Sequence, residues 1–285
     1  MSDHISSQAR ADFSKARRKA FFKQVFSILS GQRHAATLLS YDEIKEKLHI
    51  GGPIYRGIKT IRVDQIAGSL NRYQEFDRAF LPKEDQLAHR WQSVDRAFYK
   101  DINLPPVVLY KVGQVYFVVD GHHRVSVARE QGQEFIEAEI RECSTRVNIT
   151  ADIKPEDLEI LGDKVNFLER TRLDELIPEA NIKLTIPDGF ERMLEHIAVH
   201  RYFMGLDLKR DITEEEAVKH WYETVYLPIV KVIRESNILR DFPDKTEGDL
   251  YLWTLDHQRY LSSEEGQPLQ PPDQAARQFL EEKGE

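Results

Sequence analysis

The chain has 285 residues, a formal net charge of −8 and 31% charged side chains, which suits a soluble globular protein of two modest domains, or of one core with helical additions. No run approaches the ~18 apolar residues needed to cross a bilayer. The opening Met-Ser-Asp-His-Ile-Ser-Ser-Gln lacks the basic-then-apolar order of a secretion signal. A single cysteine, Cys143, excludes an intramolecular disulfide framework and a cysteine-cluster zinc site, so a cytoplasmic protein is expected. The overall acidity argues against general nucleic-acid binding, which leaves a basic footprint.

Residues 12–30 predict a helix: Phe13, Ala16, Ala20, Phe21, Val25, Ile28 and Leu29 recur at near-helical spacing, and Gly31 can end it. Its other face is basic. Residues 1–39 hold seven basic side chains, among them Lys15, Arg17, Lys19 and Lys23, against Asp3 and Asp12. That leaves two readings, a solvated helix face or a patch for an anionic partner such as nucleic acid. A short helix over 41–48 follows, capped by Ser40 and stopped by Gly51-Gly52-Pro53.

Ile58, Ile61, Val63 and Ile66 suggest an extended strand. Residues 68–78 are polar with interleaved aromatics, and a helix is expected over 83–99, broken by Leu104-Pro105-Pro106. Strands are expected at Val107–Tyr110 and Val115–Val119, a helix from His122 to Gly132, and a last strand over Phe135–Ile140. Beyond residue 150 the pattern is helical, over about 155–170, 188–206, 213–239, 246–262 and 273–283. Thr213-Glu214-Glu215-Glu216 reads as a capping box, and Pro228 should kink or break its helix. The expected organisation is an N-terminal helical segment (1–53), an α+β core (54–150), a helical C-terminal domain (151–265) and a tail (266–285).

The stretch richest in chemistry is Val119-Asp120-Gly121-His122-His123-Arg124. A buried strand runs through a glycine turn into a helix start, where free N–H groups point outward and Arg124 adds fixed charge: an arrangement for binding phosphate oxygens. Gly121, His122, His123 and Arg124 are the phosphate-binding candidates. Asp120 is a candidate base or metal holder, with turn capping as the alternative. Residues 68–78 supply a second wall: Asn71 and Arg72 to contact phosphate or base, Glu75 and Asp77 as a catalytic base or as holders of a divalent cation beside a nucleotide. Ser126 and Arg129, further along the same helix, are weaker candidates. Two histidines four apart, His196 and His200, make only half a metal site, so no protein-held metal centre is expected.

On this motif, preceded by Leu104-Pro105-Pro106-Val107, residues 58–141 resemble the ParB/sulfiredoxin superfamily, in which the glycine turn and following helix bind nucleotide phosphates. Gly121 and Arg124 match the shared glycine and arginine, and His123 matches the histidine of the sulfiredoxin branch. His122 stands where that branch has its catalytic cysteine and ParB its glutamate, so sulfinic-acid repair is excluded. The Asp-Gly-His-His-Arg turn is similar to that of the archaeal free-serine kinases of the same superfamily. The whole chain resembles a bacterial ParB-like family, labelled as nucleases or transcriptional regulators, with helices after the core. The resemblance implies a nucleotide or phosphorylated small molecule as ligand, ATP, ADP or CTP with Mg²⁺, and phosphoryl transfer or hydrolysis if the protein is an enzyme. The alternatives it leaves are a DNA-associated regulator or nuclease-like protein, and a nucleotide-gated interaction module, with a homo-oligomer as a further expectation.

Overall fold

The computed structural model describes residues 2–29, 38–154, 157–264 and 268–283, which group into two units, Met1–Leu158 and Glu159–Glu285. The architecture is α+β: an N-terminal helix, a mixed sheet with helices, and a second unit made of helices. Among the described residues, no helix is long and apolar enough to cross a membrane.

The first unit opens with α1 (Ser2–Leu29), ten residues longer at its start than its apolar periodicity predicts. Residues 2–11 are mostly helix-tolerant polar side chains that bury little more than Ala9, so no stripe betrays them. Phe13, Ala16 and Ala20 enter the core as expected, and Phe13 meets Trp91 edge-on at 5.7 Å between ring centroids. Phe21 is exposed instead, while the side chains of Val25, Ile28 and Leu29, and Gly31, fall outside the described residues. β1 (Leu39–Ser40) leads into α2 (Tyr41–Lys47), where the Ser40 hydroxyl accepts the Glu43 N–H as the cap.

The expected strand over Ile58–Ile66 is two strands: β2 (Pro53–Arg62) and β3 (Ile66–Ser69), separated by one turn of 3₁₀-helix over Val63–Gln65. α3 (Ala88–Tyr99), β4 (Val107–Val112), β5 (Val115–Asp120), α4 (His122–Glu130) and β6 (Phe135–Cys143) follow as the pattern predicts, α3 starting late behind a second 3₁₀ turn. The sheet order is β1-β3-β5-β4-β6-β2. β3 runs parallel to β5, with Ser69 opposite Val118, and β4 runs antiparallel to β5, with Val108 opposite Asp120. The end of β3, the end of β5 and the start of β4 therefore converge at one edge, the carboxyl-end crevice where open sheets place ligands. The boundary expected near residue 53 falls inside this unit, because α1 packs into its core and β1 pairs with β3.

The second unit comprises α5 (Asp157–Thr171), α6 (Leu173–Leu176), α7 (Gly189–Leu208), α8 (Glu214–Trp221), α9 (Leu227–Ser236), α10 (Glu247–Glu264) and α11 (Pro272–Lys283), with α5 beginning just before the division. The capping box at Thr213 and Glu216 forms in both directions. Pro228 cannot donate an N–H to the turn behind it, and the helix widens ahead of it into a π segment over Tyr222–Tyr226, with Leu227 N–H reaching Tyr222 C=O five residues back. Residues 268–283, expected as a tail, contribute α11, whose Ala275, Ala276 and Phe279 are buried. Trp221 donates its indole N–H to the buried Tyr251 hydroxyl at 3.0 Å.

Candidate functional site

Gly121 adopts φ +99° and ψ 22°, which turns the chain from β5 into α4 within one residue. The first backbone bond of the helix is Val125 N–H to Gly121 C=O at 3.0 Å, so the ladder leaves the N–H groups of His122, His123 and Arg124 unclaimed. Asp120 is largely exposed at 71%, and Gly121 is partly exposed, so the turn reaches the surface.

Arg124 is not a free anion hook. Its Nη1 donates to the carbonyls of Pro105 and Pro106, and its Nη2 donates to Asp120 Oδ2 at 2.5 Å. The guanidinium thus staples the loop before β4 onto the turn, beside a cleft of about 660 Å³. Asp120, read as a candidate base, spends one oxygen on that staple.

On the opposite side, the convergence of β3 and β5 builds a buried polar cluster. The wholly buried Ser69 hydroxyl accepts the Arg72 N–H at 3.0 Å and lies 2.8 Å from His122 Nε2. A hydroxyl has one hydrogen to place, and among the described contacts that imidazole nitrogen is its acceptor, which puts the His122 proton on Nδ1. Arg72 spans the cluster: Nε donates to Glu75 Oε1 at 3.0 Å and Nη1 lies 3.4 Å from His123 Nε2. A guanidinium only donates, so His123 Nε2 must accept and its proton must sit on Nδ1. That Nδ1 is buried and has no hydrogen-bond partner among the described residues, and the same holds for Glu75 Oε2. Phe76 stacks on His122 at 6.1 Å and meets His123 edge-on at 5.6 Å, fixing both rings.

The other predicted residues divide. Asn71 is exposed beside the cluster. Asp77 is engaged elsewhere: its buried Oδ1 accepts the N–H groups of Ala79 and Leu81 and closes their turn. Burial pushes its pKa up. Ser126 is a core residue that accepts the Trp91 indole N–H at 2.8 Å. Arg129 donates to three backbone carbonyls inside the fold. Ser69 and Phe76 escaped the sequence reading. The Gly68-Ser69 pair ending a short apolar run was their only signal, because the contact with His122 spans 53 positions and exists only once β3 pairs with β5.

Half of the basic face of α1 is engaged within the fold, while Arg10, Arg18 and Lys23 are exposed. Lys15 and Lys19 both reach the buried carboxylate of Glu130, at 3.3 and 2.7 Å, and Arg17 pairs with Asp85. In the second unit His196 meets the Tyr251 hydroxyl, and His200 Nε2 lies 2.7 Å from His220 Nδ1. Among the described residues no group of three or more His, Cys, Asp or Glu gathers to hold a metal.

Burial, reinforced by the Arg72 charge, holds both His122 and His123 down at about 4, so the imidazoles are neutral at physiological pH. A histidine with a depressed folded pKa contributes stability that is present above its unfolded value of about 6.5 and lost as pH falls toward 4. Asp95, raised to about 6 chiefly by burial, works the other way and favours folding as it takes up a proton. Asp77, also raised by burial, acts with Asp95, but His122 and His123 in this unit and His196 in the second, all lowered to about 4, outnumber them. The melting temperature should therefore fall between pH 6.5 and pH 4.5 in thermal unfolding followed by circular dichroism. An unchanged or rising midpoint over that window would contradict the neutral, buried assignment.

No family model and no curated protein matches the chain. Among solved structures, the C2221 form of a Pnob8-like ParB-N domain aligns with it at 11% identity and a TM-score of 0.21, over 81% of this chain and 98% of that one.

Proposed function

We propose that the protein is a ParB-like nucleotide-binding protein whose ligand's phosphates are held at the Gly121 turn and the first turn of α4. The observation carrying this reading is the buried Nδ1–H of His123, which has no hydrogen-bond partner among the described residues. A buried donor without an acceptor costs about 1–3 kcal/mol, and a phosphate oxygen supplies the missing acceptor. The unclaimed N–H groups of residues 122–124 lie on the same turn, and Arg72 provides positive charge against the other edge of the ring. The resemblance of Asp120–Arg124 to superfamily members that bind nucleotide phosphates at this turn agrees.

ATP, ADP and CTP are the ligands to test, with Mg²⁺. A nucleotide-bound magnesium ion uses one or two carboxylates and keeps the rest of its shell as phosphate and water. Glu75, with one oxygen on Arg72 and Oε2 without a hydrogen-bond partner among the described residues, fits that requirement. In phosphoryl transfer the metal would supply charge neutralisation on the phosphates, with Glu75 as the carboxylate that holds it. Arg124 acts by holding the Pro105-Pro106 loop against the turn.

Isothermal titration calorimetry with ATP, ADP, CTP and GTP, with and without Mg²⁺, tests the reading. Wild type should bind at least one of them, and His123→Ala should weaken binding at least tenfold, equivalent to about 1.4 kcal/mol. No binding by wild type, or equal affinity in the variant, would refute it. The DNA-associated reading draws less support, since Lys15, Arg17 and Lys19 are engaged in ion pairs and only Arg10, Arg18 and Lys23 of the α1 cations are left exposed without one among the described residues.

A further inference from the structure

α7 is apolar on two sides. Phe190, Met193 and Ile197 are buried in the second unit, while Val199, Tyr202, Phe203 and Leu206 remain 55, 63, 57 and 55% exposed. Their spacing of three, one and three residues places them on one outward stripe. Beside the stripe lies a hollow of about 1020 Å³, bounded by Tyr202 and Leu206 on one side and by Ile212 and Val218 on the other. Large exposed aromatics grouped next to a hollow are features of interface cores.

We infer that this face of α7 packs antiparallel against the same face of a second copy of the chain. The sequence of the stripe is self-complementary in that direction. With the two-fold axis between Tyr202 and Phe203, Val199 of each copy lies opposite Leu206 of the other, and Tyr202 lies opposite Phe203. One turn further out, Glu195 falls opposite position 210, just past the end of the opposing helix, with Lys209 beside it. Glu195 and Lys209 are exposed and have no ion-pair partner among the described residues, whereas Arg210 already pairs with Glu216. A parallel pairing would set Glu195 against Glu195 and Lys209 against Lys209, with the two helix dipoles aligned side by side; charge therefore selects the antiparallel arrangement. The second copy also accounts for the hollow, which receives the aromatic ring of the opposing Phe203.

The test is the mass of the full chain in solution, by sedimentation equilibrium or light scattering at tens of micromolar. Wild type should show twice the 33.3 kDa of one chain, and Phe203→Asp should shift it to the single-chain mass with an unchanged circular dichroism spectrum. Lys209→Glu and Glu195→Lys should each weaken the dimer at low salt, and the double exchange should restore it. A monomeric wild type, a dimer that survives Phe203→Asp, or a double exchange that stays as weak as the singles would overturn the proposal.

Discussion

Gly121→Ala is expected to destabilise the first unit by about 3 kcal/mol and to abolish nucleotide binding. Two costs add. At φ +99° an L-residue is strained, by about 1–2 kcal/mol. A Cβ would also stand 2.6 Å from Val107 Cγ1 and 3.1 Å from Arg124 Cζ. Neither neighbour can yield freely: Val107 is wholly buried on β4, and the Arg124 guanidinium is pinned by two proline carbonyls and Asp120. Overpacking of this kind adds about 1–3 kcal/mol. Gly132→Ala separates the two costs, because Gly132 has φ +70° but nothing within 4 Å of its would-be Cβ. Urea unfolding should show a loss near 1 kcal/mol for Gly132→Ala and about three times that for Gly121→Ala. Equal losses would mean that contact with Val107 and Arg124 does not shape the turn.

The β5–Gly121–α4 turn was readable in the sequence because all its signals are local: an apolar run, a glycine and a helix start within ten residues. The roles of the side chains around it were not, because they depend on pairings distant in the chain. Arg124 looks like a ligand-binding guanidinium until β4 pairs with β5 and brings Pro105 and Pro106 under it. Asp77 and Glu75 look alike as loop carboxylates; the turn to Leu81 takes one into the interior and leaves the other with a free oxygen. β1, at two residues, is too short to show any period, and its place in the sheet comes from pairing with β3. Pro228 announced an irregular helix but not its form, a π segment whose Tyr226 packs with Trp221 and Tyr251. The candidate site is thus legible in its backbone and only partly in its chemistry.

Arg129→Met should cost still more stability, on the order of 3–5 kcal/mol, although nothing in the sequence sets this arginine above Arg124. Its Nη1 donates to Arg78 C=O at 3.0 Å, and its Nη2 donates to Val63 C=O at 2.9 Å and Ile66 C=O at 2.5 Å. The guanidinium carbon sits 5.0 Å from the Phe80 ring centroid, and burial lowers its pKa without neutralising it, since arginine stays charged in proteins. Those carbonyls lie at the 3₁₀ turn that bends the chain from β2 into β3 and at the start of the Arg78–Leu81 turn, so one side chain joins α4 to both. Methionine fills much of the volume but leaves three carbonyls without donors, at about 1–3 kcal/mol for each that is not rehydrated. Arg129→Lys recovers little, because an ammonium is a point donor and cannot reproduce a planar fork spread over three acceptors. Both variants should lower the urea midpoint sharply. Because Val63–Ile66 leads directly into Ser69, nucleotide affinity should fall with the folded fraction rather than through a lost contact. Once binding is corrected for the unfolded population, Arg129→Met should match wild type while His123→Ala should not; a direct loss of affinity in folded Arg129→Met would mean that Arg129 reaches the ligand after all.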